Sequence, residues 1–285
     1  MSEKQAIENV SDTALWVAMY RAMETDRPDA HFRDPLARKL AGERGAAILA
    51  GLPDGKSAAW AMIVRTSVFD DMILKAVRER GVKRVVNLAA GLDTRPYRLE
   101  LPAELEWIEV DYPKMIDYKV EKIGAETPRC RLERVKLDLA DLAARRALFD
   151  KLDAAGTPTL VITGGLLIYL TADAVVSLCD DLFARKSFKL WLFDWASPAL
   201  LKMLAKRWKD SLKAAEFKFA PENGVAFFTA RGWTVAEERI PAEEAKRLKR
   251  EFPGAWFFHL IAPLMPAKKR EEFRRMSGYA MLGNK

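Results

Sequence analysis

Residues 84–94 read RVVNLAAGLDT, and the predicted fold follows from this stretch. Its first five residues, Arg84–Leu88, predict a short buried strand, and the small residues up to Gly91 predict the loop after it. The chain then repeats the arrangement, with short apolar runs that each end in an aspartate or in glycines. These runs are Leu105–Val110, Leu132–Leu137, Leu160–Thr163 and Lys189–Phe193. Helical stretches separate most of them, so the sequence predicts an α/β fold with a mostly parallel sheet covered on both faces.

The two ends of the chain extend this pattern. Helical spacing of small and apolar residues predicts helices over Thr13–Met23 and Ala58–Arg80, before the first strand. Two later runs, Trp233–Ile240 and Tyr279–Leu282, predict further strands. The aromatic-rich stretch between Trp195 and Phe228 is predicted to be helical and does not fit the alternation. We interpret it as an insertion over the ligand site.

Composition excludes several classes of protein. The chain has 285 residues, 50% of them hydrophobic and 31% charged, so it can bury a core. No window reaches the roughly 18 apolar residues of a membrane-spanning helix, and the N-terminus carries acids, unlike a signal peptide. Two cysteines and two histidines are too few for a disulfide framework or a typical zinc site. We therefore expect a cytoplasmic protein without a metal.

The net charge of +7 does not by itself indicate a nucleic-acid partner. Basic residues are interleaved with acidic ones, as in Glu243–Glu251 and Lys268–Arg275, and such runs are typical of solvated helix faces. An anionic small molecule suits the charge balance equally well. We expect neither a nucleic-acid nor a membrane partner.

The candidate site residues come directly after the predicted strands. Ligands of open parallel sheets bind outside the carboxyl ends of the strands, which singles out Ala89-Ala90-Gly91, Asp111, Asp138 and Gly164-Gly165. Asp111 lies twenty residues after Gly91, where a carboxylate can accept hydrogen bonds from both hydroxyls of a ribose. The alternative is that Asp111 only caps a turn. Together with the small loop, its position favours a nucleoside ligand.

The loop lacks the pattern of a dinucleotide site. A G-x-G-x-x-G motif requires glycines where this chain has Ala89 and Thr94, and no phosphate-binding loop with its lysine is present. The loop therefore favours a nucleoside cofactor without phosphates, such as S-adenosyl-L-methionine. Asp138 is placed to accept from the adenine amino group while Leu139 packs on the ring. Alternatively, Asp138 is an N-cap for the following helix, a role that Asp141 can also fill.

Longer stretches of the chain resemble a known family. Residues 84–99, RVVNLAAGLDTRPYRL, and 106–119, EWIEVDYPKMIDYK, resemble the leucine carboxyl methyltransferase-like family of class I S-adenosyl-L-methionine-dependent methyltransferases. The resemblance extends to residues 13–37 and to VRTSVFDDMIL, VKLDLAD, VITGGLLIYL and RMSGYAMLGN, in the same order along the chain. It therefore covers nearly the whole chain.

The resemblance implies a Rossmann-like class I methyltransferase sheet, mostly parallel with the last strand antiparallel. It also implies a single domain over residues 1–285. Residues 1–80 form a helical N-terminal cap and 81–195 the cofactor-binding core. Residues 196–230 form an insertion that acts as a lid, and 231–285 the C-terminal strands and helices.

The same resemblance implies roles for single residues. Arg65 binds the carboxylate of the cofactor's methionine tail, a bidentate pair that arginine makes better than lysine. Arg21 corresponds to a basic residue near the same tail. The remaining positions lie along the nucleoside: loop residues Ala89, Ala90 and Gly91, then Asp111 at the ribose, and Asp138 with Leu139 at the adenine.

Position 164 departs from the family. The family has a glutamate before the Gly-Leu-Leu of the fourth-strand motif, where it is expected to contact the amino group or the ribose end of the cofactor. In this chain the position is Gly164. A second departure, at Ala89, adds only one methyl group to a glycine position.

The expected reaction is methyl transfer to an oxygen, with a carboxylate of a small-molecule or peptide acceptor as the favoured group. A carboxylate is ionised at neutral pH and needs no base, and the chain offers few bases. The candidates for a catalytic role are His31, in the N-terminal loop, and Tyr97. Aromatic residues around the insertion are candidates for the acceptor surface: Trp195, Trp208, Phe217, Phe219, Phe227 and Phe228.

Two alternatives remain open at the level of the sequence. One is a nicotinamide-dependent oxidoreductase, against which the missing third glycine counts. The other is a non-catalytic descendant that binds nucleosides, for which Gly164 is the motivating feature.

Overall fold

The computed structural model describes residues 10–52, 55–208 and 216–284. Within these residues seven strands form one sheet in the order β3-β2-β1-β4-β5-β7-β6. The strands are β1 (Arg84–Leu88), β2 (Glu106–Asp111), β3 (Arg131–Lys136), β4 (Thr159–Thr163), β5 (Phe188–Ala196), β6 (Thr234–Arg239) and β7 (Ser277–Gly283). Neighbours among β1–β5 are parallel, and β7 is antiparallel to both β5 and β6. This confirms the predicted mostly parallel sheet with an antiparallel last strand.

Twelve α-helices accompany these strands in the described residues. Three precede the sheet: α1 (Val10–Thr25), α2 (Ala37–Gly51) and α3 (Ala59–Glu79). The others are α4 (Arg95–Arg98), α5 (Pro113–Ile123), α6 (Leu142–Ala154), α7 (Ala172–Phe183), α8 (Pro198–Arg207), α9 (Ala226–Thr229), α10 (Pro241–Arg247), α11 (Ala255–Ile261) and α12 (Ala267–Arg274). No helix in the described part of the chain is long and apolar enough to cross a membrane.

Side-chain caps fix where three of these helices begin. Asp141 accepts a hydrogen bond from the backbone N–H of Ala144 at 3.0 Å and starts α6. Thr171 and Ser197 start α7 and α8 in the same way. Such caps satisfy backbone donors that the first turn of a helix leaves unpaired. As a result, α6 and α7 begin directly after the loops that follow β3 and β4.

The core lies on both faces of the central strands. Val86, Val161 and Phe193 belong to the cluster that packs against α6 and α7. Val85 and Leu192 belong to the cluster that packs against α3 on the opposite face. Alternate residues of one strand thus point to opposite layers, as the strand repeat requires. The central strands are therefore buried on both sides.

The stretch between Trp195 and Phe228, predicted to be helical, is helical only in part. Helices α8 and α9 lie in it, but residues 216–221 have no regular structure and 222–225 form a turn with Gly224 at φ 53°. Pro221 and this turn are incompatible with a continuous helix. Residues 209–215 lie outside the described residues.

Helix α8 packs on the N-terminal helices. The Trp208 ring meets the Trp16 ring of α1 edge-on, with 5.2 Å between the centroids. Leu204 and Phe217 pack against the same N-terminal cluster. The described residues on both sides of 209–215 therefore pack on the N-terminal cluster.

Candidate functional site

The loop after β1 and the end of β2 lie side by side. β1 and β2 are parallel, and Leu88 is paired with Val110, so the next residues of both strands leave the sheet together. The Asp111 carboxylate accepts a hydrogen bond from the backbone N–H of Gly91 at 2.6 Å and one from that of Tyr112 at 2.7 Å. The structure thus brings together two features that the sequence singled out separately.

Asp111 retains the capacity to bind a ligand. Burial raises the pKa of its carboxyl, while the two backbone donors act in the opposite direction. An ionised carboxylate has about four acceptor sites, and two are occupied by these N–H groups. The Gly91 N–H therefore already donates to Asp111. The acceptor sites that remain on the carboxylate are of the kind to which hydroxyl groups donate.

The loop itself has an unusual backbone. Ala89 and Gly91 have φ values of 52° and 50°, in the left-handed region. A Cβ atom on Gly91 would lie 3.3 Å from the Cβ of Ala14, so the loop also packs closely against α1. Ala89 therefore differs from a glycine in conformational cost, roughly 1–2 kcal/mol for an L-residue, and not only in size.

An ion-pair network fixes the second half of the loop. Asp93 accepts from the backbone N–H of Arg95 and from Asn87, at 2.8 and 2.9 Å. The Arg95 and Arg98 side chains both pair with Asp70 of α3, at 2.7 and 2.6 Å. Burial alone would raise the pKa of Asp93, but Arg95 holds it well below its usual range. Through Arg95 and Arg98, these ion pairs anchor the loop after β1 to Asp70 of α3.

Arg21 lies beneath the same loop and is buried. Its Nε donates to Asp34 at 2.8 Å and its Nη2 donates to the carbonyl of Leu92 at 2.6 Å. Thr94 also donates to Asp34, at 2.6 Å. Arg21 therefore supports the loop, and any contact with a ligand comes from its remaining N–H groups.

Arg65 of α3 reaches the ends of β4 and β5. Its Nη1 lies 3.1 Å from Oδ2 of Asp194, and Oδ1 of Asp194 accepts from the backbone N–H of Gly165 at 2.5 Å. Sequence reasoning placed Asp194 at the end of a strand but did not name it as a site residue. The same strand-end rule that selected Asp111 was the signal that could have found it.

The departure at Gly164 has a structural counterpart. A Cβ atom at this position would lie 3.0 Å from Cε2 of Phe69, one turn after Arg65 on α3. Phe69 is 1% exposed and packs edge-on against Tyr279, with 5.8 Å between the ring centroids. Since Phe69 is buried and packed, a side chain at position 164 would require a small shift of this ring.

The end of β3 carries Asp138 and Leu139. Asp138 is exposed and accepts from the backbone N–H of Ala140 at 2.8 Å. Since Asp141 caps α6, Asp138 does not have that role. Leu139 is partly buried beside the core. Asp138 therefore remains available to a ligand at the strand ends.

The two catalytic candidates make their contacts elsewhere. The Tyr97 hydroxyl contacts Arg134, which lies within β3 and pairs with Glu109 at 3.1 Å, and burial raises the pKa of Tyr97. His31 is exposed, and its ring contacts the carbonyl of Leu248. We call Arg65, Asp111, Asp138, Leu139 and Asp194 the strand-end group. Among the described residues, neither His31 nor Tyr97 forms a side-chain hydrogen bond with this group.

The aromatic residues of the insertion divide into two groups. Phe219 and Phe228 are part of the core, and Trp208 is part of the N-terminal cluster. Trp195, Phe217 and Phe227 are partly buried. The Phe217 ring lies 5.5 Å from that of Tyr169, which follows β4. This pair connects the insertion to the segment that follows β4.

Comparisons of the sequence identify its relatives. The family model of leucine carboxyl methyltransferase matches residues 14–183. A protein of Parafrankia sp. is 33% identical over 272 residues, which cover 87% of this chain and 86% of the relative. A protein of Mycolicibacterium smegmatis is 32% identical over 275 residues, covering 86% and 88%. Both are provisionally named S-adenosyl-L-methionine-dependent methyltransferases.

Solved structures with the same architecture are more distant in sequence. A DUF574 family protein from Streptomyces avermitilis has a TM-score of 0.58 and 12% identity, covering 96% of this chain and 97% of that one. A protein from Thermobifida fusca, provisionally titled a methyltransferase, has a TM-score of 0.55 and 14% identity, covering 98% and 96%. At these identities the likeness supports the fold alone.

Proposed function

The chain belongs to the leucine carboxyl methyltransferase family of S-adenosyl-L-methionine-dependent methyltransferases, and from this premise we propose what it methylates. The proposed reaction is transfer of the methyl group to an oxygen, specifically a carboxylate oxygen, of a small-molecule or peptide acceptor. Family membership confirms the resemblance seen in the sequence and, with it, S-adenosyl-L-methionine as the cofactor. The relatives give no support to a nicotinamide-dependent oxidoreductase.

The observation that supports methyl transfer at this site is the chemistry of the strand-end group, which fits the cofactor. Asp111 offers acceptors for ribose hydroxyls, and the Arg65–Asp194 pair, at the same edge of the sheet, offers one positive and one negative group. A nucleoside with a zwitterionic tail and no phosphate matches this set. The residues present therefore fit S-adenosyl-L-methionine.

Each residue of the group has a proposed task. Asp111 orients the ribose, Asp138 and Leu139 hold the adenine, and Arg65 holds the carboxylate of the tail. Arg21 keeps the loop after β1 in place through Leu92. When bound, the cofactor supplies an electrophilic methyl group on a sulfonium. Fixing its position lowers the barrier, because alignment of reacting groups contributes several kcal/mol.

A carboxylate acceptor agrees with the distribution of bases. A carboxylate is already ionised at neutral pH and requires no proton transfer. The contacts of His31 and Tyr97 lie with Leu248 and Arg134 rather than with the strand ends. The partly buried rings of Phe217 and Tyr169 offer apolar surface that orients the acceptor and excludes water.

The proposal is tested by transfer of a labelled methyl group to a panel of carboxylic acids and phenols. A methyl ester is cleaved by base and releases labelled methanol, whereas a methyl ether is not. We expect a base-labile product that is lost in Asp111→Ala. A base-stable product alone would exclude carboxyl methylation. Cofactor binding without transfer to any acceptor of the panel would favour the non-catalytic alternative.

A further inference from the structure

Arg65 and Asp194 form a partly exposed pair at the carboxyl ends of the central strands. Their side chains are 17% and 23% exposed and 3.1 Å apart. A pair this accessible can be reached by a ligand, while its remaining burial limits screening by water. The pair lies on two different elements, α3 and β5, so folding places the two charges together.

Asp194 is held in a fixed orientation. Its Oδ1 accepts from the backbone N–H of Gly165 at 2.5 Å, and its backbone is paired with Tyr279 in β7. Gly165 has a φ of 72°, and a Cβ atom there would lie 2.8 Å from Nη1 of Arg65. The glycine therefore lets the guanidinium approach the end of β4. The carboxylate keeps acceptor sites that neither contact occupies.

The geometry of an α-amino acid matches such a pair. Its carboxylate and its ammonium are attached to one carbon, so they require a cation and an anion side by side. A guanidinium binds the carboxylate through a charge-assisted pair, and a carboxylate accepts from the ammonium. Position 164, after the neighbouring β4, is a glycine and supplies no side chain, and a Cβ atom there would lie 3.0 Å from Phe69.

We propose that Asp194 binds the α-ammonium of the cofactor's methionine tail, next to Arg65 on its carboxylate. This inference rests on the proposed function, since it assigns one end of the same ligand. In this arrangement Asp194 supplies the negative charge that Gly164 lacks. The chain then selects ligands with an intact amino-acid tail over the bare nucleoside.

The test is calorimetric titration of the full chain with three probes. S-adenosylhomocysteine has the whole tail, its desamino analogue lacks only the ammonium, and 5′-methylthioadenosine lacks the tail. In Asp194→Asn, the affinity for S-adenosylhomocysteine should fall by about tenfold or more, as expected for a lost charge-assisted hydrogen bond. The affinities for the other two probes should not fall. Asp173→Asn, at an exposed position on α7, is the matched control and should change none of the three.

The outcomes separate the inference from the proposed function. Equal losses for all three probes would show that Asp194 only supports the fold, and an unchanged affinity for S-adenosylhomocysteine would exclude the assignment. Arg65→Gln provides a second variant if Asp194→Asn does not fold. It should weaken the binding of both probes that carry the carboxylate but not the binding of 5′-methylthioadenosine. Equal weakening of binding for all three probes would overturn the paired site. A folded wild-type chain that binds none of the probes would contradict the proposed function itself.

Discussion

Asp111 ties the end of β2 to the loop after β1 through the backbone N–H of Gly91, 2.6 Å away. A single carboxylate therefore both shapes the loop and offers acceptors to a ligand. The sequence predicted this residue because the strand-end rule depends only on the alternation of strands and helices. The hydrogen bond to Gly91 was not predictable, because it depends on the positive φ of the loop.

Replacing Asp111 with alanine should weaken binding of S-adenosyl-L-methionine by roughly 1–3 kcal/mol, because ribose hydroxyls lose their partner. Titration calorimetry measures the change. Asp117→Ala, which removes an exposed carboxylate from the neighbouring α5, should leave the affinity unchanged. An unaltered dissociation constant in Asp111→Ala would exclude the ribose assignment.

The affinity should also depend on pH in a particular direction. Burial raises the pKa of Asp111, so its protonation begins at a higher pH than for an ordinary aspartate, whose pKa is about 3.9. A protonated carboxyl loses acceptor capacity, so binding should be strong above the raised pKa and weaken as the pH falls through it. Titrations from about pH 8 to about pH 4 test this. The same decline in Asp111→Asn, which cannot be protonated there, would assign it to another group.

The folded chain should be less stable with Ala89 than with a glycine at this position. Its φ of 52° is costly for an L-residue, so Ala89→Gly should raise the free energy of unfolding by up to about 1 kcal/mol. Denaturation with urea measures this. Ala90→Gly is the control: Ala90 is not among the residues with positive φ, so the change should destabilise by roughly 0.5–1 kcal/mol. An equal loss of stability in both variants would contradict backbone strain at Ala89.

At the scale of the elements, strand boundaries were predictable where the strand has parallel neighbours. The predicted Arg84–Leu88 coincides with β1, and β4 differs from its predicted range by one residue. β5 runs three residues beyond the predicted Phe193, because the antiparallel β7 pairs with it as far as Ala196. That pairing is a long-range contact absent from the local pattern. It also places Asp194 inside a strand, where the sequence pattern did not identify it as functional.

The insertion shows a different limit of sequence reasoning. Aromatic residues at residues 196–230 predict either ligand contact or packing, and composition does not separate the two. In the structure Phe219, Phe228 and Trp208 are buried by packing. Whether a ring contacts a ligand or packs in the fold depends on its partner in the structure, such as Trp16 for Trp208.

Removing the ring of Trp208 should detach α8 from α1. Truncation of a buried aromatic residue costs about 3–5 kcal/mol, and here that cost should appear as local opening rather than global unfolding. We expect Trp208→Ala to accelerate limited proteolysis within residues 198–208 by at least tenfold. Met203→Ala, on the exposed face of the same helix, should not change the rate. An unchanged rate in Trp208→Ala would show that other contacts hold α8.

At the scale of the whole molecule, segments far apart in sequence meet at one edge of the sheet. α1 contributes Arg21 beneath the loop after β1, and α3 contributes Arg65 at the end of β4. The insertion reaches the same edge through Phe217 and Tyr169. The proposed site therefore depends on how the N-terminal helices, the central strands and the insertion pack together. Its residues at the strand ends were predictable from the sequence, whereas the supporting contacts depend on tertiary packing.

We predict above all that this edge of the sheet binds S-adenosyl-L-methionine and its product, neither of which carries a phosphate. The most direct test is calorimetric titration of the wild-type chain with S-adenosylhomocysteine, in parallel with a nicotinamide dinucleotide. We predict one site per chain with a dissociation constant on the order of micromolar for S-adenosylhomocysteine, and no heat of binding for the dinucleotide. A folded protein that gives no binding of S-adenosylhomocysteine, or that binds the dinucleotide more tightly, would contradict the account.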